Sequence, residues 1–545
     1  MDNNQQDMQK RVFIFFAVVA VLMIGYSIFA SLFLPDKKKQ EPQQVAQKTE
    51  IAQKTEASQK TQATQEPQPK QEAAVIYSTG GTFNLLLDSR RFRADDLKNL
   101  VTLKTEFGTV KFSKIGGRVV SIYIDRYKTD VIGSFSKQNK IFPTEIITTD
   151  PQITALINFS EYQVSQNGNK LVFTLKKNGI KVIKEFILDK AVFTVNIKTE
   201  GLDKYGLAVI DGVALDKIPG RSYGHYGPVV KTADKLMQLD ADIEKEQIIR
   251  GKILWAGEEN KYFIQMIANK DGFSAVHIIP VSKDKTIVLS EINNGVNGFF
   301  LGGPKLYSLL KELTEKYQKE WGVNLALQDT ISFGIFGILG KPLFIVLHFF
   351  YSFTHNWGVA IILLTILIRI IFFPLNHKSL KAMKKMSDLA PEIKKLQQKY
   401  KDNPEKLQQE MMKLYAEHGA NPMSGCLPIL VQIPVFIALY NVLMVTVELK
   451  NAPFILWITD LSSKDPYYIL PILMGLSMVA QQWITPSSDK NQKMIMYIMA
   501  IVFTFMFMNF PSGLVLYWLT NNILGLLQSY IINKKLGRYE KKPAK

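Results

Sequence analysis

Cysteine is almost absent from this chain of 545 residues, with Cys426 standing alone. That excludes an internal disulfide framework and any zinc or iron–sulfur site built on several thiolates. The six histidines, His225, His277, His348, His355, His377 and His418, are scattered without metal-ligand spacing, so no metal and no cofactor is expected. H-E-x-x-H, G-x-S-x-G and P-loop signatures are all missing, and the chain does not read as an enzyme. Acidic residues are outnumbered 48 to 66 by basic ones, for a formal charge of +18. Apolar residues make up 47%, so a fully disordered chain is excluded: that much apolar surface has to be buried. Length alone allows two to four domains.

Residues 12–34 form an uncharged apolar run long enough to cross a bilayer as a helix. A cleaved signal peptide would have a shorter core and a small-x-small cleavage site. Residues 1–35 therefore read as an uncleaved anchor. Residues 36–76 are Gln, Lys, Thr, Glu, Ala and Pro, with AQKTE at 46–50 and again at 52–56. Nothing there can offset the ordering of a backbone, so this is a solvated tether.

From residue 77 to 303 the pattern has period two. Leu171, Phe173 and Leu175 alternate with Val172, Thr174 and Lys176. Asn178–Gly179 predicts a hairpin turn, and Asn167–Gly168 a second one before it. The expectation is one large antiparallel β domain. Pro304 should then start a helix and Gly322 end it. Leu306, Leu309, Leu310, Leu313 and Tyr317 share one face of that helix, which should pack on the sheet and complete a domain over 77–322.

Beyond this point the chain turns apolar. Candidate spans lie at 357–375, 425–447, 467–484, 494–510 and 513–532, making six with the anchor. The stretch 333–353 is apolar but broken by Gly334, Gly337, Gly340, Lys341 and Pro342. The loop 376–424 holds ten lysines and the tail 533–545 is basic, which puts both in the cytoplasm. Six spans then place both termini inside and the β domain outside, as fits a bacterial inner membrane with a periplasmic domain. A seventh span would break this, so 333–353 is read as an interfacial amphipathic helix.

Inside the spans there is one ionisable side chain, Arg369, in ILLTILIRIIFFP. A central arginine costs about 2.5–3.5 kcal/mol on insertion scales. Two accounts fit. It snorkels to the face marked by Pro374 and His377, or it lines a wet groove with a positive wall. Thr365, one turn earlier, favours the groove. Gln432, Gln481, Gln482, Asn521, Asn522 and Gln528 are helix–helix glue singly, or together the rest of that groove. With no carboxylate in the spans, a transient polar or anionic guest suits Arg369 better than proton coupling does.

The loop 376–424 reads as a helical hairpin, its arms at 379–400 and 405–418 around Asp402-Asn403-Pro404. Met383, Met386, Met411 and Met412 give it soft apolar patches that adapt to varied guests, unless they only pack its seam. The basic tail suits anionic lipid, or ribosomal RNA through the same electrostatics. Nothing points to DNA.

Three motifs in order carry a resemblance. They are NPMSGCLPILVQIPVFIALYNVL at 421–443, DPYYILPILMG at 465–475 and FPSGLVLYWLTNN at 510–522. With NWGVAIILLTILIRIIFFPL at 356–375, these runs resemble the YidC membrane protein insertase family of the Gram-negative type. The resemblance implies a polytopic helical membrane protein with a five-helix insertase core over 357–532. It also implies a large periplasmic all-β supersandwich similar to sugar-mutarotase folds. Arg369 matches the groove arginine and Thr365 its polar neighbour one turn away, and Gln432 is taken with them as a candidate groove residue. Tyr517 and Trp518 match an aromatic pair that contacts substrate, although many relatives carry tyrosine at both places. The implied partners are nascent membrane proteins, the Sec translocon with its accessory subunits, the ribosome through the tail, and anionic lipids. Two rival readings are a polytopic transporter and a membrane-tethered sugar-modifying enzyme. The first wants an internal repeat and ionisable coupling residues, which are not seen. The second rests on fold likeness alone.

Overall fold

The computed structural model describes residues 76–77, 83, 85–86, 100–189, 192–218, 224–293, 295–334, 337–401, 403–419, 427–484 and 490–540. The expected anchor, and the tether up to residue 75, lie outside the described residues.

Period-two alternation becomes a large β-sheet domain over roughly residues 100–304. Its main sheet runs from Leu236–Gln238 through Gly227–Thr232, Gln247–Glu259, Phe263–Ser282, Gly295–Pro304, Val192–Glu200, Ile180–Asp189 and Lys170–Lys177 to Gln163–Asn167. The long strand Phe263–Ser282 also pairs with Lys285–Ile292, which leads on to Leu207–Val213 and Ile146–Thr148. A four-stranded sheet, Leu100–Thr105, Gly108–Ser113, Arg118–Ile124 and Thr129–Asp130, lies apart from it in the pairing. Leu171, Phe173 and Leu175 point into the core. Asn178 and Gly179 are the two central residues of their hairpin, both at positive φ, as the primed turn requires. The neighbouring turn is shifted by one residue from its expected place. Asn167 pairs with Lys170, so Gly168–Asn169 is the loop and glycine takes the left-handed first position.

Two short helices, α1 (Ser134–Asn139) and α2 (Pro151–Phe159), decorate the domain. Helix α3 spans Tyr307–Trp321, because Pro304 is still paired in the sheet rather than opening the helix. Gly322 ends α3 in the left-handed conformation. Leu309, Leu310, Leu313 and Tyr317 are buried, and Tyr317 stacks on Phe299 of the sheet at 4.3 Å.

Helix α4 follows at Gly337–Thr354, then α5 (Trp357–Ile371) and α6 (Phe373–Asp388). The side chain of Asn356 caps α5 by accepting from the backbone N–H groups of Gly358 and Val359. Between α5 and α6 the chain bends by 63°. Pro374 in the first turn of α6 explains the break, since it has no N–H for the Ile370 carbonyl and its ring crowds that group. The remaining helices are α7 (Ala390–Lys399), α8 (Pro404–Glu417), α9 (Leu427–Val445), α10 (Ile469–Ile484), α11 (Lys490–Phe507) and α12 (Ser512–Glu540). Helix α4, read as interfacial, is long and apolar enough to cross a membrane, as is the bent α5–α6 pair taken together.

Residues 391–417 fall into a different compact unit from the other described residues. The expected first arm is divided, because α6 ends at Asp388 and α7 begins at Ala390, next to Pro391. In the turn, Asn403 accepts from the N–H of Lys406, and Pro404 is the first residue of α8. The Tyr400 ring sits under the ammonium groups of Lys399 and Lys406.

One buried apolar cluster runs from Trp255 and Phe299 through Leu310 to Phe344, Trp357, Leu439 and Tyr517, tying the sheet to the helices. Polar contacts join them at the end of α9. Tyr262 donates to the Met444 carbonyl at 3.2 Å, Tyr127 to that of Val447 at 3.2 Å and Arg126 to that of Glu448 at 2.9 Å. The buried Glu448 carboxylate accepts from the Tyr307 N–H at 2.7 Å. Burial pushes Glu448 up to about 7.

Candidate functional site

The elbow between α5 and α6 opens a cleft lined by Ile368, Arg369, Phe372, Leu375, Asn376, Val431, Gln432 and Asn521. Three elements build it: the elbow, α9 and α12. Arg369 is half-buried, and its Nη2 donates to the backbone carbonyl of Asn521 at 2.6 Å. Its Nε is buried without a partner, as is Asn521 Oδ1. Among the described residues, no carboxylate forms an ion pair with Arg369. A guanidinium held by one carbonyl keeps most of its hydrogen-bonding capacity for a guest.

Room for that guanidinium comes from a residue the sequence reading missed. A Cβ on Gly525 would lie 2.9 Å from Arg369 Nη2. Tyr517, Asn521, Gly525 and Gln528 recur at helical spacing, and this face of α12 includes the carbonyl that holds the arginine. A glycine four residues after Asn521 was the available signal.

Gln432 lines the cleft and donates to the Tyr517 hydroxyl at 3.3 Å. Tyr517 itself is fully buried. Trp518 is half-buried on a different side, edge-on to Phe436 at 4.9 Å and stacked with Phe503 at 6.1 Å. Thr365 is not in the cleft lining: it is fully buried, and its hydroxyl donates to the Ile361 carbonyl one turn back at 2.7 Å. That bond satisfies the hydroxyl within its own helix. Asn522 donates to Ser477 at 2.9 Å and Gln481 to Ser529 at 3.1 Å, so these polar groups join α12 to α10. Met383 and Met386 are half-buried on α6; on α8, Met411 is half-buried and Met412 is 59% exposed.

Among the described residues, no group of three His, Cys, Asp or Glu side chains could hold a metal. Besides Glu448, the strongly raised carboxyls lie in the β domain. Burial holds Asp211 well above its usual range and pushes Glu258 up to about 8. Both are tied to hydroxyls, Ser290 on Asp211 at 2.5 Å and Thr286 on Glu258 at 2.5 Å.

Residues 349–540, which include this cleft, match the family described as 60Kd inner membrane protein. The membrane protein insertase YidC of Aquifex aeolicus is 37% identical over 98% of this chain and 97% of its own length. The chain belongs to the YidC membrane protein insertase family. The YidC of Campylobacter jejuni is 35% identical over 77% of this chain and 80% of its own. A crystal structure of an active YidC insertase with the first transmembrane domain resolved aligns with 81% of this chain and 93% of its own. That match has 20% identity and a TM-score of 0.43, too loose to fix a fold. Family membership makes this a membrane protein and an insertase without catalytic activity. An insertase has to receive and release a chain rather than change a bond.

Proposed function

We propose that the chain inserts and folds nascent inner-membrane proteins through the Arg369 cleft, alone or together with the Sec translocon and its accessory subunits. One observation carries this reading: a half-buried guanidinium that, among the described residues, meets one carbonyl acceptor and no carboxylate, in a small cleft that brings Gln432 and Asn521 beside it. A nascent hairpin has to move polar groups across about 30 Å of hydrocarbon. A wet cleft reaching part-way shortens that path and offers partners to backbone not yet helical. Arg369 attracts acidic residues of the crossing segment. The guest leaves sideways, because an apolar helix is more stable in lipid, and burial of roughly 20 apolar residues drives the step without ATP.

In this reading the anchor, α5, α9, α10, α11 and α12 are the six spans, and α4 lies along the outer interface. The lysine-rich hairpin and the tail are cytoplasmic, and the β domain is a periplasmic supersandwich. A seventh span at α4 would put the N-terminus opposite the tail, so with the lysines of 376–424 and of the tail held inside by the positive-inside bias the β domain would fall in the cytoplasm. Met383 and Met386 on α6, and separately Met411 and Met412 on α8, offer clients soft apolar side chains. The tail meets anionic lipid and, weakly, the ribosome.

Photo-crosslinking residues at positions 432 and 518, with a stalled single-span client, test the proposal. The expected result is a crosslink to the client's apolar segment that disappears when that segment is made polar. Correct insertion with position 432 silent would move clients out of this cleft, whatever position 518 reports.

A further inference from the structure

The segment between α9 and α10 does not follow the usual pattern of a polar loop. Ile455 is 53% exposed, Leu456 80% and Tyr467 66%. Leu456 sits in the left-handed region at φ 51°, which pushes a branched side chain outward at a place where glycine would be expected. The surrounding bonds hold it there. Phe454 N–H donates to the Ile458 carbonyl at 2.9 Å, and Ile458 N–H to that of Ile455 at 3.1 Å. Asn356, the cap of α5, donates to the Phe454 carbonyl at 3.0 Å. The Phe454 ring lies against Gly358, where a Cβ would come within 2.0 Å of it.

The carboxylates of this segment are engaged in local hydrogen bonds. Asp460 accepts from Asn451, Ser462 and Ser463, and buried Asp465 accepts from Trp457 Nε1 and the N–H groups of Tyr467 and Leu470. Exposed Lys464 is left without a carboxylate among the described residues, its ammonium 6.0 Å from the Tyr468 ring. Apolar tips, tyrosines and a free cation are the composition of a membrane interface. The patch continues into the exposed apolar face of α10, at Ile472, Leu473 and Leu476.

We infer that the tip Ile455–Leu456 is a wedge seated among the lipid acyl chains of the outer leaflet, with Tyr467 and Lys464 at the headgroups. This rests on the reading of α9 and α10 as spans. The wedge, clamped to Asn356 and Gly358 at the start of α5, fixes the outer end of the span that carries Arg369.

The test uses the full chain with Cys426→Ser, in vesicles of phosphatidylethanolamine and phosphatidylglycerol. An environment-sensitive fluorophore is attached at Leu456→Cys, and in a second preparation at Leu476→Cys on α10. The expected result is blue-shifted emission at 456, quenched at least twofold by acyl-brominated lipid and little by aqueous iodide. Iodide quenching at 456, with lipid quenching retained at 476, would overturn the wedge while leaving the spans in place. Blue-shifted emission at 456 that neither quencher reaches would mean that protein covers the tip, and would also overturn it. Loss of lipid quenching at both positions would overturn the span reading and the wedge with it. A label at Leu456→Cys is itself apolar, so Ile455→Ser with the same label gives a second reading, in which lipid quenching should fall by about half.

Discussion

Replacing Arg369 with alanine should slow insertion in proportion to the acidic charge of the segment being translocated. Among the described residues the guanidinium has one hydrogen bond, to the Asn521 carbonyl at 2.6 Å, and no ion pair. Its charge is therefore open to the guest. An acidic side chain passing at about 6 Å interacts by about 0.7 kcal/mol at the dielectric constant of water and about 2.8 kcal/mol at an effective value near 20. A wet cleft lies between these limits. One acidic residue should thus be worth about 3-fold to about 100-fold in rate, and a neutral segment close to nothing. Arg369→Lys should keep most of the effect, because the charge survives and only the fork is lost. The assay is protease protection of the translocated tail in reconstituted vesicles, with a client series differing only in the number of acidic residues. Removing a half-buried, unpaired charge should leave the thermal stability of the helices unchanged or raised. Equal slowing of acidic and neutral clients by Arg369→Ala would refute the electrostatic role.

Two further outcomes concern packing and ionisation. Gly475→Ala should cost about 1–3 kcal/mol, because its Cβ would fall 2.0 Å from Thr504 Oγ1 between α10 and α11. Thermal unfolding should show the loss, and adding Thr504→Ala should recover most of it. In the β domain, burial raises Glu258 from 4.5 to about 8. A raised carboxyl contributes stability that is full below the unfolded value and is lost as pH rises through the folded one. The β strands should therefore lose stability between about pH 5 and about pH 8. Glu258→Gln, which keeps an acceptor for Thr286, should flatten that dependence. An unchanged pH profile in the glutamine variant would assign the loss to another group.

The sequence by itself determined the elements that depend on local rules. Alternation at Leu171, Phe173 and Leu175 needs only the pleat of a strand, and Asn178–Gly179 only the sign of φ in a two-residue turn. Gly322 ends α3 for a similarly local reason. Arg369 stood out because an intramembrane charge is expensive wherever it faces, and the motifs at 421–443 and 510–522 pointed to the family. Local rules failed where pairing partners decided the matter. The sheet held Pro304 in a strand, and its register moved the turn to Gly168–Asn169.

Only the tertiary structure decided which polar groups share a site. Thr365 and Arg369 are one turn apart on α5, yet one hydroxyl closes on its own backbone while the guanidinium crosses to Asn521. Tyr517 and Trp518 are adjacent in sequence, but one bonds Gln432 and the other packs on Phe436 and Phe503. Gly525 matters because an arginine from another helix needs its space. The same holds for the docking of the β domain onto Val447 and Glu448 through Tyr127 and Arg126, more than three hundred residues earlier in the chain. Periodicity tells which side of an element is apolar. Which neighbour that side meets is settled by packing between elements distant in sequence, and the cleft is made of such meetings.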